Sequence, residues 1–103
     1  MGRGTRIRSA RLPEKLLHIR HTFNATQEEM AGRLGFREIT REYISGFELG
    51  KREPPLPVLL RIAQLAGVYV DVLIDDEVDL PDELPRRAKT GTDRRAASGR
   101  KSK

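Results

Sequence analysis

The chain has 103 residues, a formal net charge of +5 and no cysteine. That length holds one small domain with tails, and the missing cysteine excludes a disulfide framework and any thiolate-ligated zinc or iron–sulfur centre. No apolar run approaches the roughly 18–20 residues of a membrane span, and the basic N-terminus lacks the apolar stretch of a signal peptide.

Residues 1–11 carry four arginines and no acid, which predicts a basic arm. Over residues 12–23 the apolar positions Leu12, Leu16, Ile19 and Phe23 recur at helical spacing, with Leu17 beside them. Pro13 falls in the first turn, where its missing N–H is no loss, and Asn24 can end the helix in a left-handed conformation. A second helix opens at Thr26. Its hydroxyl can accept from the N–H of Glu29 while the Glu29 carboxylate reaches back. Met30, Ala31 and Leu34 form its inner face, and Gly35 supplies a turn that a side chain would obstruct. Residues 36–39 are the linker. Thr40 is the next N-cap candidate. Tyr43, Ile44 and Phe47 give the third helix an apolar face, and Gly50 ends it. Gly46, in mid-helix, costs about 1 kcal/mol against alanine; it either permits a close approach or is simply tolerated. Residues 51–55 form a loop with two bases and two prolines. Residues 56–66 make a fourth helix, with Leu56, Leu59, Leu60, Ile62, Ala63 and Leu65 mostly inward, and residues 70–74 a short fifth helix that closes the core.

Beyond Asp75 the pattern dissolves. Residues 75–85 carry six acids and no base, whereas residues 86–103 carry eight bases and one acid. The tail has no apolar residue larger than alanine and cannot offset the entropy of ordering. The sequence thus divides into a basic arm (1–11), a neutral folded unit (12–74), an acidic linker (75–85) and a disordered basic tail (86–103). Basic ends beside a neutral core suit an anionic polymer partner; solvated tails that keep the chain soluble explain the same composition equally well.

Two short helices, each with an N-cap candidate and joined by a turn with glycine, are the parts of a DNA-reading pair. In such a pair the first helix lies across the backbone and the second enters the major groove with its leading residues on base edges. Gln27, at the start of the second helix, can donate to phosphate beside outward-pointing backbone N–H groups. Arg41 and Glu42 lead the third: arginine can pair with guanine, and glutamate can accept from cytosine N4. Lys51 and Arg52 follow on a loop, placed to clamp phosphate.

The runs TQEEMAGRLG and YISGFELGKREPPLPVLLRIAQLAGV resemble the phage-repressor and Cro-like helix-turn-helix family, also called the xenobiotic-response-element family. The match covers residues 12–74 and includes Gln27 after the N-cap, Ala31, Gly35, the Glu–x–Gly–Lys pattern at Glu48 to Lys51, and a Leu–x–x–Ile–Ala helix ending in Gly67 and Val68. The resemblance implies a compact all-α, five-helix domain that binds operators as a homodimer. It implies that Gln27 touches phosphate, that Arg41, Glu42 and Gly46 stand at base-reading positions with Tyr43 beside them, and that Arg20 pairs with Glu48. One departure is the path from Gly35 to Thr40, where Arg37, Glu38 and Ile39 look like an insertion that can bring Arg37 to the DNA backbone.

Other chemistries find less support. His18 and His21 are three apart, a spacing that can bind metal, but no further histidine or cysteine completes a site. No metal or cofactor is expected. Neither a nucleophile–base constellation nor a phosphate-binding glycine loop is present, so no enzyme is expected. The leading expectation is a sequence-specific transcriptional regulator, a repressor, that reads double-stranded DNA with the helix starting at Thr40. Its location would be cytoplasmic, at the nucleoid, without a membrane partner. The alternative is an antitoxin that represses its own operon and holds a protein partner through the acidic linker or tail, for which Val78, Leu80 and Leu84 are the candidate anchors. A third possibility is a protein-interaction adaptor.

Overall fold

A computed structural model describes residues 7–85. Among these it shows five helices and no strand: α1 (Leu12–Thr22), α2 (Gln27–Leu34), α3 (Arg41–Leu49), α4 (Leu56–Ala66) and α5 (Val70–Ile74). The all-α architecture expected from periodicity is the one observed. The readings of residues 1–6 as part of a basic arm and of 86–103 as a disordered tail lie outside the described residues.

The helix ends follow local chemistry. Asn24 takes φ 55° just beyond α1. At α2 the capping box is complete: the Glu29 N–H donates to the Thr26 hydroxyl at 3.0 Å, and the Thr26 N–H donates to the Glu29 carboxylate at 2.9 Å. Gly35 ends α2 at φ 80°, and its N–H donates to the carbonyl of Ala31. Glycine alone takes that conformation freely. The chain then runs to Thr40 through a turn pinned at its far side. Ile39 is buried, Phe36 packs against the core, and the Ile39 N–H donates to the Phe36 carbonyl at 3.0 Å. The inserted stretch is therefore held by an apolar anchor and not left as a free loop, while Arg37 and Glu38 stay exposed.

One core unites the helices. Leu16 and Ile19 of α1, Met30 and Leu34 of α2, Ile44 and Phe47 of α3, Val58, Ile62 and Ala66 of α4, and Leu73 of α5 are all buried. α3 packs against both α1 and α2, and α5 packs against α1 and α4. In α4 nearly every position is apolar, so periodicity alone does not select its inner face. Val58, Leu59, Ile62, Ala63 and Ala66 are buried, whereas Leu56 is 79% exposed and Leu60 49% exposed. The expectation that both leucines point inward is corrected accordingly.

Residues 75–84 fold back on the helical unit, bonded to Ala10, Arg11 and Lys15 at the start of α1 and packed on the core through Leu80 and Leu84. Lys15 is buried, with 2% of its surface exposed. Its ammonium donates to the carbonyls of Val72, Asp75 and Val78 at 2.8, 2.9 and 2.6 Å. A buried charge of this kind is tolerable only when all its donors are used, and here three carbonyls use all three. The Arg11 guanidinium donates to the Asp76 carbonyl and to the Asp79 carboxylate, at 2.9 and 2.7 Å. The Asp76 carboxylate accepts from the N–H groups of Ala10 and Arg11. Leu84 joins the core and Leu80 packs on it.

Candidate nucleic-acid interface

Besides the shared core, one polar cluster connects α1, α2 and α3. Arg20 of α1 pairs bidentately with Glu48 of α3, Nε to Oε2 at 2.7 Å and Nη2 to Oε1 at 3.0 Å. The side chains are 14% and 6% exposed. Arg20 Nη1 also donates to the carbonyl of Ala25, at 3.0 Å, between α1 and α2. Gln27 at the start of α2 donates to Glu48 Oε1 at 3.1 Å. Two parallel N–H···O bonds fix direction as well as distance, so this cluster adds an oriented tie between α3 and its neighbours to the apolar packing of Ile44 and Phe47. Gln27 thereby has one amide N–H engaged inside the protein. The other remains, beside the N–H groups of the first turn of α2 that the capping box leaves open.

α3 presents its leading end to solvent. Thr40 has the extended conformation of an N-cap, but its hydroxyl does not accept from the helix. The Glu42 carboxyl is held below its ordinary range, first by its own backbone N–H, then by the Thr40 hydroxyl and by the Arg41 charge. Arg41 Nη2 lies 3.4 Å from Glu42 Oε2, with both side chains well exposed. The two polar side chains at the front of α3 are thus exposed and only loosely engaged with each other.

The rear of the same face differs from the sequence expectation in one respect. Lys51 is exposed on the loop after α3. Arg52 is exposed too, but its side chain turns back along α3, and its guanidinium carbon lies 4.2 Å from the centre of the Tyr43 ring. Tyr43 is half-buried and meets Phe47 edge-on, so its ring is supported by the core as well as open to Arg52. Gly46 is covered, and Glu42, Ser45, Gly46, Leu49, Lys51 and Arg52 line one shallow groove. Arg37 stands apart from that groove, beside Glu28, Thr40 and Arg41 along the α2–α3 turn. The fold-back of Arg52 escaped sequence reasoning; the available signal was a glycine in mid-helix two turns from a loop arginine.

No group of three or more His, Asp or Glu side chains that could hold a metal occurs among the described residues. Among them, too, no helix is long and apolar enough to cross a membrane.

Comparison with known proteins gives consistent results. A family model described as helix-turn-helix matches residues 23–73. An uncharacterized HTH-type transcriptional regulator of Methanocaldococcus jannaschii is 38% identical over 69 residues, covering 64% of this chain and all of that protein. One from Archaeoglobus fulgidus is 39% identical over 67 residues, covering 64% of this chain and 90% of that protein. YqaE of Bacillus subtilis, named in the same way, is 38% identical over 64 residues, 62% of this chain and 53% of its own length. With these matches, and with α3 tied to α1 through Arg20–Glu48 and to α2 through Gln27 behind an exposed leading end, the chain belongs to the phage-repressor and Cro-like helix-turn-helix family, a class of DNA-binding transcription regulators.

Proposed function

We propose that this protein is a sequence-specific transcriptional regulator, a repressor, that reads operator DNA in the major groove with α3. The observation that carries this is the division of labour on α3. Its inner face is fixed to α1 and α2 through Glu48, and its leading end offers Arg41 and Glu42 to solvent. Rigid presentation of a few long polar side chains is what base readout requires. Arg41 and Glu42 carry sequence preference. Gln27, Lys51 and, along the inserted turn, Arg37 carry general affinity through phosphate. Repression by occupancy asks only for operator binding, so it needs the least beyond this module.

DNA is bound by a homodimer in this reading. Leu56 and Leu60 sit one turn apart on α4 and are exposed, an apolar stripe that a second copy would cover. The antitoxin alternative draws less support from residues 75–85, because Leu84 is already in the core and Leu80 partly buried, which leaves Val78 as the exposed anchor. Selection of bound sites from random double-stranded DNA tests the proposal. Two related half-sites separated by about one helical turn, 10–10.5 base pairs, are expected. Enrichment of no sequence would refute it.

A further inference from the structure

We propose that Arg52 is a base-reading residue: it supplies, from the loop behind α3, the side chain that α3 lacks at Gly46. The inference rests on the DNA-reading role proposed above and changes the part Arg52 plays in it, from a phosphate clamp to a specificity determinant.

Three observations carry it. First, the main chain returns to α3 after its C-cap: the N–H groups of Lys51 and Arg52 both donate to the Gly46 carbonyl, at 2.9 and 3.2 Å. This turn starts the Arg52 side chain beside Gly46 and aims it toward the front of the helix. Second, glycine at position 46 leaves open the space that this course of the side chain crosses. A Cβ there would lie 2.9 Å from Arg52 Cδ and 3.0 Å from Cγ, so the arginine stem would have to shift from this course. Third, the side chain ends on a platform. Its guanidinium stacks on Tyr43, one turn ahead of Gly46, and Tyr43 is itself held against buried Phe47.

Position decides the consequence. Glu42 and Gly46 are four residues apart and share one face of α3. That face is the groove which Arg52 also lines. A helix that presents Glu42 to base edges therefore presents the Arg52 guanidinium beside them. The guanidinium carbon lies over the ring, and among the described residues the group makes no ion pair that would occupy its N–H donors. An arginine held over a supported ring, with its donors unpaired by a carboxylate, is positioned for bidentate pairing with guanine O6 and N7. A phosphate clamp needs none of this support, since lysine serves as well.

The test is site selection from random DNA with the full chain as wild type, Arg52→Ala, Arg52→Lys and Gly46→Ala, with affinities measured across a salt series. Arg52→Ala should lose preference at one base pair, by roughly 10- to 100-fold, and keep the rest of the site. Arg52→Lys should lose the same preference while keeping the salt slope, because it retains the charge but not the planar fork. Gly46→Ala, which favours helix but obstructs the arginine stem, should relax that same position with helical content unchanged by circular dichroism. Uniform weakening on all DNA by Arg52→Ala, with the selected site intact and full rescue by lysine, would overturn the proposal and leave α3 readout standing. If wild type selects no sequence, the DNA reading fails, and this inference with it.

Discussion

Arg20 shows how much one side chain can carry. It bonds Glu48 twice and the Ala25 carbonyl once, in surroundings that leave Glu48 almost no water. Truncation to Arg20→Ala strands a buried carboxylate with only the Gln27 amide, at a cost of about 3 kcal/mol. Chemical denaturation checks it, and a loss below about 1 kcal/mol would place the pair among surface ion pairs. Asp76 makes a prediction of the opposite kind, about pH. The N–H groups of Arg11 and then Ala10 hold its carboxyl below the ordinary range. A carboxyl whose folded pKa is depressed binds fewer protons folded than unfolded. Its contribution is complete above the ordinary value near pH 4 and drains as the pH falls through the depressed one. Asp76→Asn should therefore be less stable than wild type at pH 7, with the difference closing in acid. A gap that stays constant from pH 7 to pH 3 contradicts the assignment.

Among the helices, what the sequence reveals and what it hides separate by distance along the chain. Thr26 with Glu29, Gly35 as a stop, and the apolar stripe of α1 are local signals, and the helices stand where these put them. The Arg20–Glu48 contact spans 28 residues and is legible only through family resemblance. Lys15 is not legible at all. A lysine beside Leu16 reads as a solvated position, and its burial depends on carbonyls 57 to 63 residues away. The same separation hides the docking of residues 75–84, whose anchors Leu80 and Leu84 are too sparse to form a period. In the site, the exposed leading end of α3 follows from its cap, whereas the course of Arg52 depends on the missing Cβ at Gly46 and the return of the loop. At this scale Lys15→Met is the informative change. It keeps the apolar stem and leaves the carbonyls of Val72, Asp75 and Val78 without their donor. The loss should be about 1–3 kcal/mol, with faster proteolysis after residue 74. A neutral or stabilising result would mean that the ammonium's desolvation cancels its three bonds.

For the whole molecule, charge is distributed by segment: +4 over residues 1–11, zero over 12–74, −6 over 75–85 and +7 over 86–103. We propose that the C-terminal bases add non-specific affinity and that the acidic segment competes with DNA for them, since opposite blocks joined in one chain meet at high effective concentration. Three of the six acids are already engaged within the fold, Asp75 with the Glu77 N–H, Asp76 with Ala10 and Arg11, and Asp79 with Arg11. Any competition therefore falls mainly to Glu77, Asp82 and Glu83. Deleting residues 86–103 should flatten the salt dependence of binding by about 0.9 per lost phosphate contact and spare the selected site. An unchanged slope would make the tail merely solubilising.

The central claim is that α3 reads bases with its leading end. The most direct measurement is the site selected by Arg41→Ala compared with that of wild type, with Lys51→Ala as the phosphate control. Arg41→Ala should lose about 1–3 kcal/mol on the wild-type site and relax one base position, while Lys51→Ala weakens all DNA alike and lowers the salt slope by about one. An unchanged selected site in Arg41→Ala would contradict the account and assign base reading to another surface.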